Sequence, residues 1–421
     1  MVRRSFDVAE PAVWFVFYFF IHFGVRAISI LIFGSPILGI SSGAWDLGSI
    51  NAALSVAIFS ILMFWIGYHL NIWNVVLRFL PTLPRFWSET RALVGVFFCL
   101  ILGWGMRFYL MYSQGGGITG WLAADKYVLF TKEGLGYITF LSNVAYIGLL
   151  MVFIMALIYR EQKYWILFAS CLVPESIYRF YGGSRAQFVF LLMELLIIQY
   201  MSSKRTFAES IRCLHRMVFV GLCGFFLYPF FSVMRGGVQN LSVVFLKTIS
   251  LWRAVPQVFE MIMIRQHGLD SLALVVEKVP RIEPYSFGSE ILFPLIAWIP
   301  RSFWPDKPTV SLGRIFYSKF YPPIFHEGTA VAVTIPAELY WALGFIGVTC
   351  GMLCIGVVWR CLFEYVVRPR GNVSNILLVG SMFPSFFVVV EQSLDFLLTM
   401  HFLQFITLVF ICLLIGGRSK I

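Results

Sequence analysis

The stretch IPRSFWPDKP, residues 299–308, sets Arg301, Asp306 and Lys307 among three prolines and two aromatic residues. Prolines at this density exclude a regular helix or a central strand, so the segment is expected to be a shaped loop. Further cations stand at places of similar character: Arg179 and Arg185 in SIYRFYGGSRAQF, and Arg235 in SVMRGG. Guanidinium groups grip phosphate oxygens in pairs, so Arg179, Arg185, Arg235 and Arg301, with Lys307, form a candidate anion site. Each such charge-assisted bond contributes on the order of 1.5–3 kcal/mol. Snorkelling to a membrane interface is the competing role for Arg179, Arg185 and Arg235. Gly182, Gly183, Gly236 and Gly237 are either close-approach positions for the same ligand or ordinary turn residues. Among the acids, Asp306 can pair with Lys307 or Arg301, or serve as a base. Glu338, in TIPAELYWALGFIG, can complement a helix N-terminus or act on a substrate. Asp46, Glu290, Glu327 and His326 are further candidates on the same side of the chain.

The elements that carry these residues follow from composition. The 421 residues are 59% hydrophobic and 13% charged, with 44 phenylalanines and a mean hydropathy of +0.83. One soluble core cannot hide that much apolar surface, so the chain is read as an all-α polytopic membrane protein. Ten charge-poor runs are predicted to span, near 12–33, 49–69, 92–112, 137–158, 164–178, 186–201, 217–234, 339–360, 375–390 and 397–416. Kinks are expected at Pro174 and Pro384. No charge stands out in mid-span, and no internal repeat is visible, which weighs against a transporter. The first run is too long for a cleaved signal and is taken as a span.

Lysine and arginine gather in alternate connections: Arg3 and Arg4; Arg78, Arg85 and Arg91; Arg160 and Lys163; Lys204, Arg205, Arg212 and Arg216; Arg360, Arg368 and Arg370; Arg418 and Lys420. The positive-inside rule makes that side cytoplasmic, with both termini on it. Much of the net charge of +11 is then topological, and nucleic acid is not an expected partner. The eight cysteines include no CxxC pair and none falls in the long outer loop, so no disulfide framework is expected. Neither a nucleotide motif nor metal-ligand spacing is present, and no cofactor or metal is expected.

Three regions follow: an N-terminal bundle of about seven spans over 1–234, a large outer loop over 235–338, and a C-terminal bundle of about three spans over 339–421. The loop holds ten Lys or Arg against eight Asp or Glu, so individual side chains rather than bulk charge must matter. Leu241, Phe245, Trp252, Val255, Phe259 and Ile262 recur near helical period, with Lys247, Arg253 and Arg265 between them. That pattern reads either as a surface-lying amphipathic helix or as a helix packed on its own subdomain. The apolar run Ile291–Ile299, interrupted by Pro294, is expected to lie on or re-enter the bilayer.

IPRSFWPDKP and IPAELYWALGFIG, together with the earlier GGSRAQF, resemble the Wzy-type O-antigen and oligosaccharide repeat-unit polymerases. The likeness covers motifs between about residues 182 and 347 and the many-span layout around one large outer loop. It implies a GT-C-like glycosyltransferase of the bacterial inner membrane, active on the periplasmic side. The implied substrate is an undecaprenyl-pyrophosphate-linked oligosaccharide, whose carrier pyrophosphate leaves as a new repeat unit is joined. A chain-length regulator and a flippase of the same pathway are the implied partners. In that frame Arg185, Arg235, Arg301 and Lys307, with Arg179 and Arg253, face pyrophosphate or glycan. Trp304, with Trp298 and Tyr317, offers a sugar-stacking face, and Glu338 or Asp306 acts at the acceptor hydroxyl. An O-antigen ligase and a lipid-linked oligosaccharide flippase are the alternatives.

The topology is directly testable. In a cysteine-free background, single cysteines replacing Lys204 and Glu283 are expected to react with an impermeant thiol reagent from opposite sides of the membrane. Labelling of both from one side would overturn the arrangement.

Overall fold

The computed structural model describes residues 6–33, 47–123, 136–181, 185–235, 249–250, 266, 268–289, 296, 299, 303–304, 306, 311–321 and 331–417. In chain order α1 (Pro11–Ile32), α2 (Gly48–His69), α3 (Glu89–Gly115) and α4 (Tyr137–Tyr159) are each long and apolar enough to cross a membrane. There follow α5 (Gln162–Tyr181), α6 (Arg185–Met201) and α7 (Phe207–Arg235), which are either more charged or shorter. Within the long connection stand α8 (Gly268–Lys278) and α9 (Leu312–Phe320). The chain closes with α10 (Ile335–Val367), α11 (Val373–Met382), α12 (Ser385–Val388) and α13 (Leu397–Ile415). With α10 and α13, six helices among the described residues meet the length and apolarity required for crossing.

Their surfaces follow from the lipid environment. Leu31 is 79% and Ile101 74% exposed, an outward apolar dressing that hydrocarbon favours and water does not. α4 is apolar all round, and every residue from Val144 to Ala156 is buried, as expected of a helix enclosed by other helices. Without water to drive helices together, close backbone packing matters. α2 and α10 meet at glycines: a Cβ on Gly67 would stand 2.2 Å from the Leu353 carbonyl oxygen, and one on Gly356 2.2 Å from that of Phe64.

Contacts place the basic connections on one face. Lys163 reaches Glu89 at 3.0 Å, Arg91 donates to the Gly416 carbonyl, Arg205 pairs with Asp7 and donates to the Val367 carbonyl, and Tyr68 donates to Glu10. A two-residue antiparallel ladder, Phe86 opposite Gly417 and Trp87 opposite Gly416, closes the same face. The charges there are not only topological. Arg205 and Arg360 are buried, and Arg360 shares Glu364 with Arg368.

The run 375–390 is not one helix. It divides into α11 and α12 at Phe383 and Pro384, where a proline cannot supply the backbone N–H that a continuous ladder needs. Pro174, in contrast, remains inside α5. The eight cysteines are unpaired. Apart from residues 249–250, the expected amphipathic helix over 241–262 lies outside the described residues, as does most of the run 291–299.

Part of the long connection docks into the bundle. α8 is buried from Gly268 to Val275, and Arg26 of α1 donates Nε to Asp270 at 2.9 Å, both side chains 2% exposed. Ser271 and Lys278 then donate to the carbonyls of Ala332 and Phe320, tying α8 to α9 and to the approach of α10. Breaking a buried pair from one side leaves an uncompensated charge. Arg26→Ala and Asp270→Ala are each expected to destabilise the protein by about 3–5 kcal/mol in detergent-solubilised unfolding. The double replacement Arg26→Met with Asp270→Leu should recover most of that loss.

Candidate functional site

A cavity of about 580 Å³ lies between α3, α4, α5, α6, the α11–α12 break and α13. Its lining comes from the helix halves remote from the basic face: Gln114 late in α3, Asn143 and Tyr146 early in α4, Arg179 at the end of α5, and His401 and Gln404 early in α13. The cavity therefore sits toward the face opposite the basic connections.

Its polar wall is built on an ion triplet. Glu175 accepts from Arg107 through Nη1 at 2.5 Å and Nη2 at 3.1 Å, and from Arg179 Nε at 2.7 Å. Arg107 and Glu175 are 1% and 2% exposed. Aromatic faces complete the cage, with the Arg107 guanidinium 4.1 Å from the Tyr178 ring and that of Arg179 4.1 Å from the Tyr146 ring. Such faces attract cations where water is absent. Arg179 Nη1 donates to the Gln187 carbonyl at 3.1 Å, and the side chain lines the cavity. Beside it Glu194 Oε2 and Tyr146 Oη are buried without a hydrogen-bond partner. Unsatisfied polar atoms at this depth are costly, and a polar ligand in the cavity would satisfy them.

A second polar group comes from the C-terminal helices. The break at Pro384 starts α12 with Ser385, whose Oγ lies 2.6 Å from His401 Nδ1. His401 Nε2 lies 2.8 Å from Gln392 Oε1. The first turn of α13, Leu397–His401, is π-helical, a widening that shifts the register and is frequent at functional sites. Gln404 donates to both the carbonyl and the hydroxyl of Ser381, holding α13 against α11.

The residues singled out from sequence are distributed unevenly. Arg179 is buried in the cavity wall rather than snorkelling. Arg185 opens α6 and Arg235 ends α7, both at the cavity's end of the bundle. Glu338 is buried in the first turn of α10, where its charge suits the helix N-terminus, and its Oε2 accepts the Leu394 N–H at 2.6 Å, so it also caps the turn leading into α13. Trp304 and Asp306 are exposed. Arg301, Lys307, Arg253 and Asp46 lie outside the described residues, as do Glu290, Glu327 and His326.

The expectation that no charge stands out in mid-span is corrected. Arg26, Arg107, Glu175 and Glu194 are all buried within helices of the bundle. Sequence reasoning passed over all four, yet a lone charge in an apolar run, as in GWGMRFYL or LLMELLI, is itself a functional signal. Nothing in the sequence marks Ser385, Gln392 and His401 as neighbours. Among the described residues no group of three or more His, Cys, Asp or Glu is placed to hold a metal ion. Comparison with protein-family models, curated proteins and solved structures finds no match.

The two acids of the cavity wall are expected to differ sharply on neutralisation. Glu175→Gln leaves two buried guanidiniums facing each other and should cost about 3–5 kcal/mol. Glu194→Gln alters a carboxyl that makes no ion pair among the described residues and leaves the Tyr146 hydroxyl a neighbour to bond, and should change stability by less than about 1 kcal/mol. Thermal unfolding of the two purified variants decides it; equal losses would show that Glu175 is not the central counter-ion.

Proposed function

We propose that this protein polymerises undecaprenyl-pyrophosphate-linked oligosaccharide repeat units, by glycosyl transfer on the periplasmic side of a bacterial inner membrane. In this reading ten helical segments cross the membrane, with α11 and α12 together making the ninth, in a GT-C-like bundle whose long loop between α7 and α10 is periplasmic. The observation that carries the reading is the cavity on the face opposite the basic connections, with the cation Arg179 on its wall. A carrier held at the headgroup level of that leaflet presents pyrophosphate at the same height. The resemblance of the sequence motifs to those of Wzy-type polymerases supports the same assignment.

The chemistry needs little beyond what such a site offers. The sugar is already activated by its carrier, so no nucleotide is required. The C–O bond to pyrophosphate breaks as the acceptor oxygen attacks, and the barrier falls to the extent that the developing negative charge is stabilised. Arg179 is one cation for that task. Arg185 and Arg235 start and end helices at the same end of the bundle, and Arg301, Lys307 and Arg253 are assigned to the same substrate from sequence. Trp304, exposed on the loop, is assigned to a sugar face. Of the two acids assigned to the acceptor, Asp306 lies on the exposed loop and Glu338 is engaged as a cap. A chain-length regulator and a flippase are the proposed partners.

Deletion of the gene tests the proposal. A polymerase mutant is expected to accumulate carrier bearing a single repeat unit. An O-antigen ligase mutant would instead retain long lipid-linked polymer, and loss of a flippase would leave the unit on the cytoplasmic side. In the complemented strain Arg301→Ala should abolish long polymer without lowering protein abundance. Arg301→Lys should restore only a fraction, since lysine keeps the charge but not the fork. Full polymer from Arg301→Ala would remove that residue from the site.

A further inference from the structure

We infer that Ser385, backed by His401 and Gln392, is the proton relay for the acceptor hydroxyl; the inference rests on the glycosyl-transfer reading above. Three observations converge on it. Ser385 and His401 both line the 580 Å³ cavity, so a ligand there can touch them. The Ser385 Oγ to His401 Nδ1 separation of 2.6 Å and the His401 Nε2 to Gln392 Oε1 separation of 2.8 Å form one continuous chain. The chain also has a direction: the Gln392 carbonyl accepts a proton from Nε2, which leaves Nδ1 unprotonated and able to accept from Ser385.

The local fold is built around this chain. Pro384 ends the run begun by α11 and turns Ser385 into the first residue of α12. The π-helical turn Leu397–His401 brings the imidazole to it, and Glu338 fixes the start of that helical stretch through the Leu394 N–H. Ser385 is 6% exposed, so bulk water does not replace the cavity ligand as its partner.

The step balances without any further reactant. The acceptor hydroxyl donates its proton to Ser385 Oγ while Ser385 passes its own proton to His401 Nδ1. The acceptor oxygen forms the new bond to the anomeric carbon, and the old C–O bond breaks with its electron pair leaving on pyrophosphate. The imidazolium so formed is held by the Gln392 carbonyl and returns its proton to water after product leaves. Arg179 stabilises the leaving group from α5, and the two tasks are thus carried by different helices.

The test uses the full-length protein in lipid nanodiscs, with lipid-linked oligosaccharide extracted from a strain deleted for this gene. Ser385→Ala and His401→Gln are expected to lower kcat by about 10²–10⁴-fold, with KM within about threefold of wild type and an unchanged melting temperature. Ser385→Thr, which keeps the hydroxyl, should retain most of the rate. Independently of turnover, ¹⁵N-histidine spectra of the wild type, assigned by difference from His401→Gln, should show Nε2 protonated and Nδ1 bare. The opposite tautomer, or a Ser385→Ala protein that turns over at the wild-type kcat, would overturn the relay. Wild-type protein that extends no glycan, with the expected tautomer present, would overturn the polymerase reading and with it the relay's role in glycosyl transfer.

Discussion

Inside a bilayer no water is at hand to solvate Glu175, so its carboxylate must be satisfied by protein alone. That constraint organises the cavity side of the bundle. Two guanidiniums from different helices converge on one carboxylate, and aromatic rings from α4 and α5 close over them. The three helices α3, α4 and α5 are thereby fixed to one another at their ends remote from the basic face. A buried triplet of this kind specifies position more than it stabilises, because the desolvation of each ion offsets much of the attraction.

The same constraint orients the arginine that lines the cavity. Arg179 lines the cavity with its guanidinium already held by Nε to Glu175 and Nη1 to Gln187. A preorganised donor in a dry site stabilises developing charge without having to reorient during the reaction. Arg107, on α3, gives both Nη atoms to Glu175 and keeps Nε buried without a hydrogen bond. Position, not residue type, separates the two: Arg179 lines the cavity and Arg107 stands behind it.

A second buried pair, Arg26 with Asp270, performs the analogous service for the long connection. It anchors α8 against α1 while α8 packs on α2 and α10, so part of a segment that reads as an outer loop is integrated into the bundle. Glu338 then links the start of α10 to the start of the last helix. Movement of the docked loop would be felt at Ser385 and His401 through that carboxylate, since it holds the N-terminal end of the helix that carries the histidine.

The sequence by itself determined the class of protein, the positions of the apolar helices and the clustering of basic connections. These depend on local composition and on the thickness of hydrocarbon, which a run of residues reports directly. It also marked Pro384 as a break and Arg179 as an arginine out of place. What it did not disclose is which charges meet. Arg107 and Glu175 are 68 residues apart, Arg26 and Asp270 are 244 apart, and no periodicity links either pair. Ser385 and His401 are 16 residues apart, yet only the turn at Pro384 and the widened helical turn at His401 bring them together. Tertiary structure decided these pairings because in a membrane the packing of whole helices, not the propensity of any segment, selects which polar groups share the dry interior.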